Sequence, residues 1–267
     1  MLIRRRKRSV AILGCGPAGL FAAHAFYEAG WEISILSRKR RSEMFGAQYL
    51  HQEIPGLPAY RATLNYTLTG TVEGYAKKVY GGTLPPEKVS PSHLLGVSTV
   101  WDIRAAYYGA WDRYAGMITS MHVNPSDVSS IKQSFDLVVS SLPVPVLCAD
   151  MNQQHSFEAG KVWAIGDAPE RGIFCPVSTP HFTVRCNGEE TPAWYRASNV
   201  FNYQTAEWPQ DNKPPIEGIA EVIKPLQTNC NCHVDGKFIR VGRYGTWAKG
   251  VLSHEAYLTA QERARKR

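Results

Sequence analysis

The run Ser9-Val10-Ala11-Ile12-Leu13-Gly14-Cys15-Gly16-Pro17-Ala18-Gly19 decides the fold, together with its continuation Leu20-Phe21-Ala22-Ala23-His24-Ala25-Phe26-Tyr27-Glu28-Ala29-Gly30. A short apolar run of strand length enters a G-x-G-x-x-G turn, and an Ala-rich stretch of helical length follows. Gly30 stands where a helix C-cap is expected, and Trp31-Glu32-Ile33-Ser34-Ile35-Leu36 alternates as a second strand. Strand, glycine turn, helix and strand in this order form the unit that holds a dinucleotide pyrophosphate. Gly14 permits the sharp turn, Gly16 lets the backbone approach a phosphate, and Gly19 seats the helix close on the strand. The helix N-terminus then offers free N–H groups and the positive end of its dipole. Gly14, Gly16, Pro17, Ala18 and Gly19 are therefore expected at a cofactor.

The end of the second strand departs from the usual pattern. An acid there binds the ribose hydroxyls, whereas this chain has Ser37, Arg38 and Lys39, with Glu43 beyond the strand. A hydroxyl and cations suit the 2′-phosphate of NADP. They equally suit an FAD adenosine held by a Ser hydroxyl and a stacked Arg, and this position does not separate the two.

Gly14-Cys15-Gly16-Pro17-Ala18-Gly19-Leu20, with Ala22-Ala23 following, resembles the FAD fingerprint of the large flavoprotein oxidoreductase superfamily. Near the other end, Phe238-Ile239-Arg240-Val241-Gly242-Arg243-Tyr244-Gly245-Thr246-Trp247 resembles the C-terminal FAD motif of UDP-galactopyranose mutases and amine-oxidase-like flavoproteins. In those families a strand ends in Gly-Arg-x-Gly and a helix starts beneath the flavin; the helix here is expected over Ser253 to Arg265. The stretch from Ser37 to Gly46-Ala47-Gln48-Tyr49 is similar to their path from ribose to flavin. The resemblance implies FAD contacts from Ser37, Arg38, Lys39, Gly46, Ala47, Gln48, Gly242, Arg243, Tyr244, Gly245 and Trp247. It covers residues 8–50 and 236–265. The relatives usually carry an acid at Ser37, a paired glycine at Gly46-Ala47, and Met-Asp at Leu252-Ser253, so the particular reaction does not follow. More loosely, Trp194-Tyr195-Arg196 and Asn202-Tyr203 are similar to their substrate-side residues.

Phe135 to Pro143 has the continuous apolar character of a buried parallel strand. Lys161 to Asp167 is another strand-like run, and its Gly166-Asp167 end resembles a second FAD motif that competes with Gly242-Arg243; the latter is preferred because a helix follows it. Ser98 to Tyr108 is expected to open a helix, and Cys186-Asn187-Gly188 signals a hairpin. The expected fold is α/β. An FAD-binding Rossmann-like domain with a parallel sheet (8–50, 135–150 and 229–267) is interrupted by a smaller mixed α+β substrate or cap domain (51–134 and 151–228). His51, Arg185, Tyr195, Arg196, Asn199 and Tyr203 are the substrate-side candidates, and no catalytic residue can be assigned.

The chain has 267 residues, 44% hydrophobic and 20% charged, with no apolar run of membrane-spanning length. Its net charge of +7 resides largely at the ends. Arg4, Arg5, Arg6, Lys7 and Arg8, with Arg263, Arg265, Lys266 and Arg267, carry nine positive charges, and without them the remainder is −2. Such ends are expected to be solvated, with weak, sequence-indifferent nucleic-acid contact as the other option. Six cysteines are too few for a disulfide scaffold at this length, so a reducing, cytoplasmic setting is expected. Cys230-Asn231-Cys232-His233 holds ligand types but lacks a second pair at ligand spacing, and no metal is expected. The leading reading is a compact FAD oxidoreductase acting on a small-molecule or nucleotide-type substrate, with NADP as the less favoured occupant of the site or as a transient reductant. A redox-neutral mutase-like enzyme, a flavoenzyme modifying nucleic-acid bases, and a non-catalytic nucleotide-binding module are the alternatives.

Overall fold

Strand β1 (Ser9–Leu13) is buried at four of its five positions, as a central parallel strand covered on both faces must be. The computed structural model describes residues 6–38, 40–81, 89, 94–150, 154–166 and 175–266. From β1 the chain passes through the glycine turn into α1 (Pro17–Glu28) and returns as β2 (Glu32–Ser37). β3 (Arg61–Thr69), α2 (Val72–Tyr80), β4 (Gly96–Trp101) and α3 (Ile103–Tyr114) follow, then β5 (Ile118–Ser120), α4 (Asp127–Ser134), β6 (Leu137–Ser140) and α5 (Val144–Leu147). A run of strands comes next: β7 (Phe157–Ile165), β8 (Thr183–Asn187), β9 (Arg196–Val200), β10 (Tyr203–Pro209) and β11 (Ile219–Thr228). β12 (Phe238–Arg240), α6 (Gly242–Thr246) and α7 (Ser253–Arg265) close the described chain.

Two sheets result. The first is parallel, in the order β12-β6-β1-β2-β5. The second is mixed, in the order β11-β7-β10-β9-β8-β3-β4, antiparallel throughout except where β3 runs beside β8. In the parallel sheet Val10 lies opposite Ile33 on one side and Leu137 on the other. Helix α1 is buried at every position from Gly19 to Phe26, between the sheet, α3 and α7. An all-round apolar helix is stable only when enclosed in this way; burying Leu20, Phe21 and Phe26 stabilises by roughly 1.5–3 kcal/mol each.

The α/β class and the parallel sheet agree with the expectation. Two particulars are corrected. Residues 51–134 were expected in the cap, but α3 packs on α1 and β5 pairs with β2, Ile35 opposite Ile118. That segment is therefore divided between the layers. Ser98–Trp101, expected to begin a helix, belongs to β4, which pairs with β3 in the order Leu64 opposite Ser98. The helix starts only after Asp102, whose Oδ1 accepts from the N–H groups of Arg104 (2.8 Å) and Ala105 (3.3 Å). The aspartate is thus an N-cap, which fixes the boundary. The expected hairpin exists, β8 against β9, with its loop running from Gly188 to Tyr195.

Candidate cofactor site

All strands of the first sheet run parallel, so the C-terminal ends of β1, β6 and β12 meet on one edge. The chain leaves β1 for β2 on one side and later returns to β6 on the other. That reversal of strand order is where ligands bind in open α/β sheets. Gly14, Ser141 and Gly242 lie at this edge.

The motif glycines have different physical justifications. Gly14 has φ +98°, and a Cβ there would lie 2.6 Å from Ser141 Oγ. A Cβ on Gly19 would lie 2.2 Å from the carbonyl oxygen of Gly14. Both are demanded by the chain's own packing. A Cβ on Gly16 would meet nothing nearer than Ser42 Oγ at 3.4 Å, and Gly16 has φ −71°, open to any residue. The fold itself leaves room for a side chain at Gly16. Gly16 is also the N-cap of α1 and makes no side-chain cap, with Pro17 in the first turn. The turn thus leaves helix N–H groups for an external acceptor.

A loop arches over this turn. Tyr107 of α3 donates its hydroxyl to the Cys15 carbonyl at 3.0 Å and accepts the Ser42 N–H at 2.9 Å. Cys15 Sγ donates to the Arg40 carbonyl at 3.4 Å. Burial pushes the Tyr107 phenol up, opposed by its hydrogen bond with Ser42, so it remains a neutral clamp. Arg40, Arg41, Ser42, Glu43 and Phe45 border an open surface depression of about 460 Å³. Arg41 stacks 4.6 Å over the Tyr108 ring. Two buried polar atoms near the strand ends, Ser140 Oγ and Arg243 Nε, have no hydrogen-bond partner.

The remaining expected cofactor residues are distributed as follows. Ser37 ends β2, and Arg38 donates from Nε to His122 Nδ1 at 3.1 Å. Lys39 and Asp167 lie outside the described residues. Gly242, φ +70°, packs on the first turn of α1, where a Cβ would stand 2.4 Å from Ala18 Cβ. A Cβ on Gly245 would stand 2.6 Å from the Ser140 carbonyl oxygen. The side chains after Gly242 turn toward the second sheet. Arg243 donates to the Pro225 carbonyl at 3.2 Å, Tyr244 to that of Ile223 at 2.8 Å, and Trp247 Nε1 to that of Glu158 at 3.1 Å. Gly46 and Ala47 also bind within the chain, through N–H groups donated to the Ile165 carbonyl (3.0 Å) and to Glu207 Oε1 (3.2 Å). Gln48 offers its carbonyl to Arg104 at 3.2 Å.

The substrate-side candidates do not form one group. Tyr195 is fully buried, and with Arg196 it is held by Glu207, a residue only 1% exposed. Lys224 pairs with the same carboxylate. Burial pushes the Glu207 carboxyl up, but Arg196 and Lys224 outweigh this and hold it at about 2. Burial lowers Lys224 to about 7, partly opposed by Glu207. Nothing in the local pattern marked this cluster beyond a carboxylate set between Ala206 and Trp208 in a strand. Arg185 stacks 5.4 Å over Trp194 and donates to the Ser178 carbonyl. Asn199 Oδ1 is buried without a hydrogen bond. Tyr203 lies beneath the guanidinium of Arg104 at 4.1 Å, and His51 lies beside Tyr49 and His254. A larger cavity of about 820 Å³ opens between α2, β7 and the Gly188 loop, lined in part by Lys77, Lys78, Lys161 and Glu189. None of the cofactor or substrate-side candidates borders it.

No protein-family model and no curated protein matches the sequence. Among solved structures, a 2-methyl-3-hydroxypyridine-5-carboxylic acid oxygenase aligns at 14% identity and TM-score 0.48, over 97% of this chain and 88% of that one. A tetracycline destructase aligns at 9% and 0.49, over 97% and 81%. A flavoprotein/dehydrogenase from Cytophaga hutchinsonii aligns at 9% and 0.49, over 97% and 77%. Likenesses this remote carry nothing about substrate or reaction. Among the described residues no helix is long and apolar enough to cross a membrane.

Proposed function

We propose that the chain binds FAD along the β1–α1 turn and acts as a flavin-dependent oxidoreductase on a small-molecule or nucleotide-type substrate. The observation that carries this reading is the contrast among the motif glycines. Packing within the chain accounts for Gly14 and Gly19 but leaves Gly16 unexplained, and a pyrophosphate at the uncapped start of α1 explains it. Ser140 Oγ is buried without a partner at the end of β6, on the same edge.

In this reading the N–H groups of the first turn of α1 hold the pyrophosphate, and Ser37 and Arg38 face the adenosine end. Tyr107 keeps the 40–45 loop closed over the turn and limits water there. FAD, when bound, supplies electron and hydride transfer through its isoalloxazine ring. The mutase-like part of the resemblance has less support. Arg243, Tyr244 and Trp247 direct polar atoms to carbonyls of β11 and β7 rather than to the edge of the parallel sheet.

Purified protein is expected to be yellow, with flavin absorption bands and about one FAD per chain. Gly16→Val should stay folded by circular dichroism and come out colourless. Stoichiometric FAD in that variant would overturn the assignment.

A further inference from the structure

We propose that Cys148, His155, Cys230 and Cys232 form a structural Zn²⁺ site at the seam between the two sheets. This inference is independent of the flavin reading. The four residues come from two distant places: Cys148 caps the C-terminal end of α5 and His155 precedes β7, while Cys230 and Cys232 lie in the β11–β12 connection. Their three sulfurs and the His155 Nδ1 all lie within 4.8 Å of one another.

Two of the separations match a metal tetrahedron and a third is a few tenths of an ångström shorter. With Zn–S of about 2.3 Å and Zn–N of about 2.0–2.1 Å, ligand atoms sit about 3.8 Å apart for two thiolates and about 3.6 Å for thiolate and imidazole. Cys148 Sγ and Cys230 Sγ are 3.8 Å apart, Cys232 Sγ and His155 Nδ1 3.7 Å, and Cys148 Sγ and His155 Nδ1 3.2 Å. The cysteines are free thiols, and 3.8 Å is far beyond the roughly 2.05 Å of a disulfide. Three soft sulfurs and one imidazole, with no position left open, match a closed zinc site better than a catalytic one.

The surroundings suit the charge. Zn²⁺ displaces three thiol protons on binding, so the loaded set carries −1. Arg240 lies beside it, with Nη2 3.6 Å from Cys230 Sγ and 2.9 Å from the Cys232 carbonyl, and Nη1 2.6 Å from the Cys230 carbonyl. The segments that carry the ligands are also tied together. Thr228 Oγ1 donates to the Ser156 carbonyl at 2.7 Å, and the Ser156 N–H reaches Asn229 Oδ1 at 2.8 Å. Asp150 Oδ2 accepts the His155 N–H at 2.6 Å and stands 3.5 Å from its Nδ1. His233 turns away and places Nε2 3.0 Å from the Leu147 carbonyl oxygen. The second ligand pair that the sequence lacked near Cys230 is supplied by the chain entering β7.

The test is the metal content of untagged protein grown with added zinc and desalted. We expect about one zinc per chain, at most a tenth of that in Cys232→Ser and His155→Ala, and no change in Cys186→Ala. Because the ligand variants can unfold, intact protein loaded with Co²⁺ gives a separate reading. Thiolate-to-cobalt charge transfer with the strong ligand-field bands of a tetrahedral site is expected. Zinc-free wild type with a cobalt spectrum lacking thiolate bands would overturn the proposal. So would zinc retained by both ligand variants, iron with acid-labile sulfide in place of zinc, or a Cys148–Cys230 disulfide in protein purified without oxygen.

Discussion

Glu207 is the residue on which the second sheet turns. Its carboxylate receives Tyr195, Arg196, Lys224 and the Ala47 N–H in a site almost closed to water. A buried charge without its partner costs far more than the pair contributes. Glu207→Gln would strand the Arg196 guanidinium and leave Lys224 without its partner, and is expected to lose about 3–5 kcal/mol in urea unfolding at neutral pH. Adding Lys224→Met should restore part of that, and a purely additive double mutant would refute the coupling. The carboxyl lies at about 2 in the fold against an ordinary 4.5, so the unfolded chain takes up this proton first as pH falls. The contribution is complete above about 4.5 and is lost as pH drops toward about 2, amounting to about 3 kcal/mol. Lys224, at about 7 against 10.5, acts in another window, and stability from this group rises with pH between those values. Urea titrations across pH should show an acid limb that Glu207→Gln flattens.

At the scale of elements, α3 connects fold to site. It packs on α1, carries Tyr107 to the glycine turn and carries Arg104 to Gln48 and Tyr203. Its start depends on Asp102, whose carboxylate caps two N–H groups while nearly buried. Asp102→Ala is expected to cost about 1–2 kcal/mol. If Tyr107 positions the 40–45 loop, the same variant should also weaken FAD retention. Helix α7 begins differently: Glu255 reaches back to the Leu252 N–H at 2.8 Å, while Leu252 has no side-chain acceptor to return the bond. Its hold on α1 rests on Ala256, Tyr257 and Ala260, all buried in the same cluster.

For the whole molecule, the two ends are less detached than their charge suggests. Arg6 grips both oxygens of Asp136 at 3.0 and 3.1 Å, and Arg8 donates to the Lys266 carbonyl while stacking over Trp31. Lys266 pairs with Glu262, and Arg263 donates to the Gly236 carbonyl. These exposed contacts add little stability, but they use cationic groups that a polyanion would need. A labelled DNA duplex is expected to bind weakly, without sequence preference, and to be released as salt rises, with a slope near −0.9 per phosphate contacted. Tight binding at physiological salt would favour a nucleic-acid substrate over a small molecule.

The β1–α1–β2 unit was legible because it depends on neighbours in sequence. A glycine turn, an apolar run and a helical period are local properties, whereas the limits of α7, Ser253–Arg265, followed from the family resemblance. The motif already gave Gly16 a different role from Gly14 and Gly19, but how closely Ser141 and Ser42 approach the turn is set by tertiary packing. Strand order was not legible. β5 joins β2 although its segment was expected in the cap, because pairing partners are chosen by sheet packing across long separations. The same cause explains the two clusters. Glu207 meets Arg196 and Lys224 only because β9, β10 and β11 are gathered in one sheet. Cys148 and His155 meet Cys230 and Cys232 because β6 and β12 are neighbours while β7 pairs with β11. Local chemistry determined the glycine turn proposed to hold a cofactor, and tertiary structure alone decided which distant charges and thiols lie side by side.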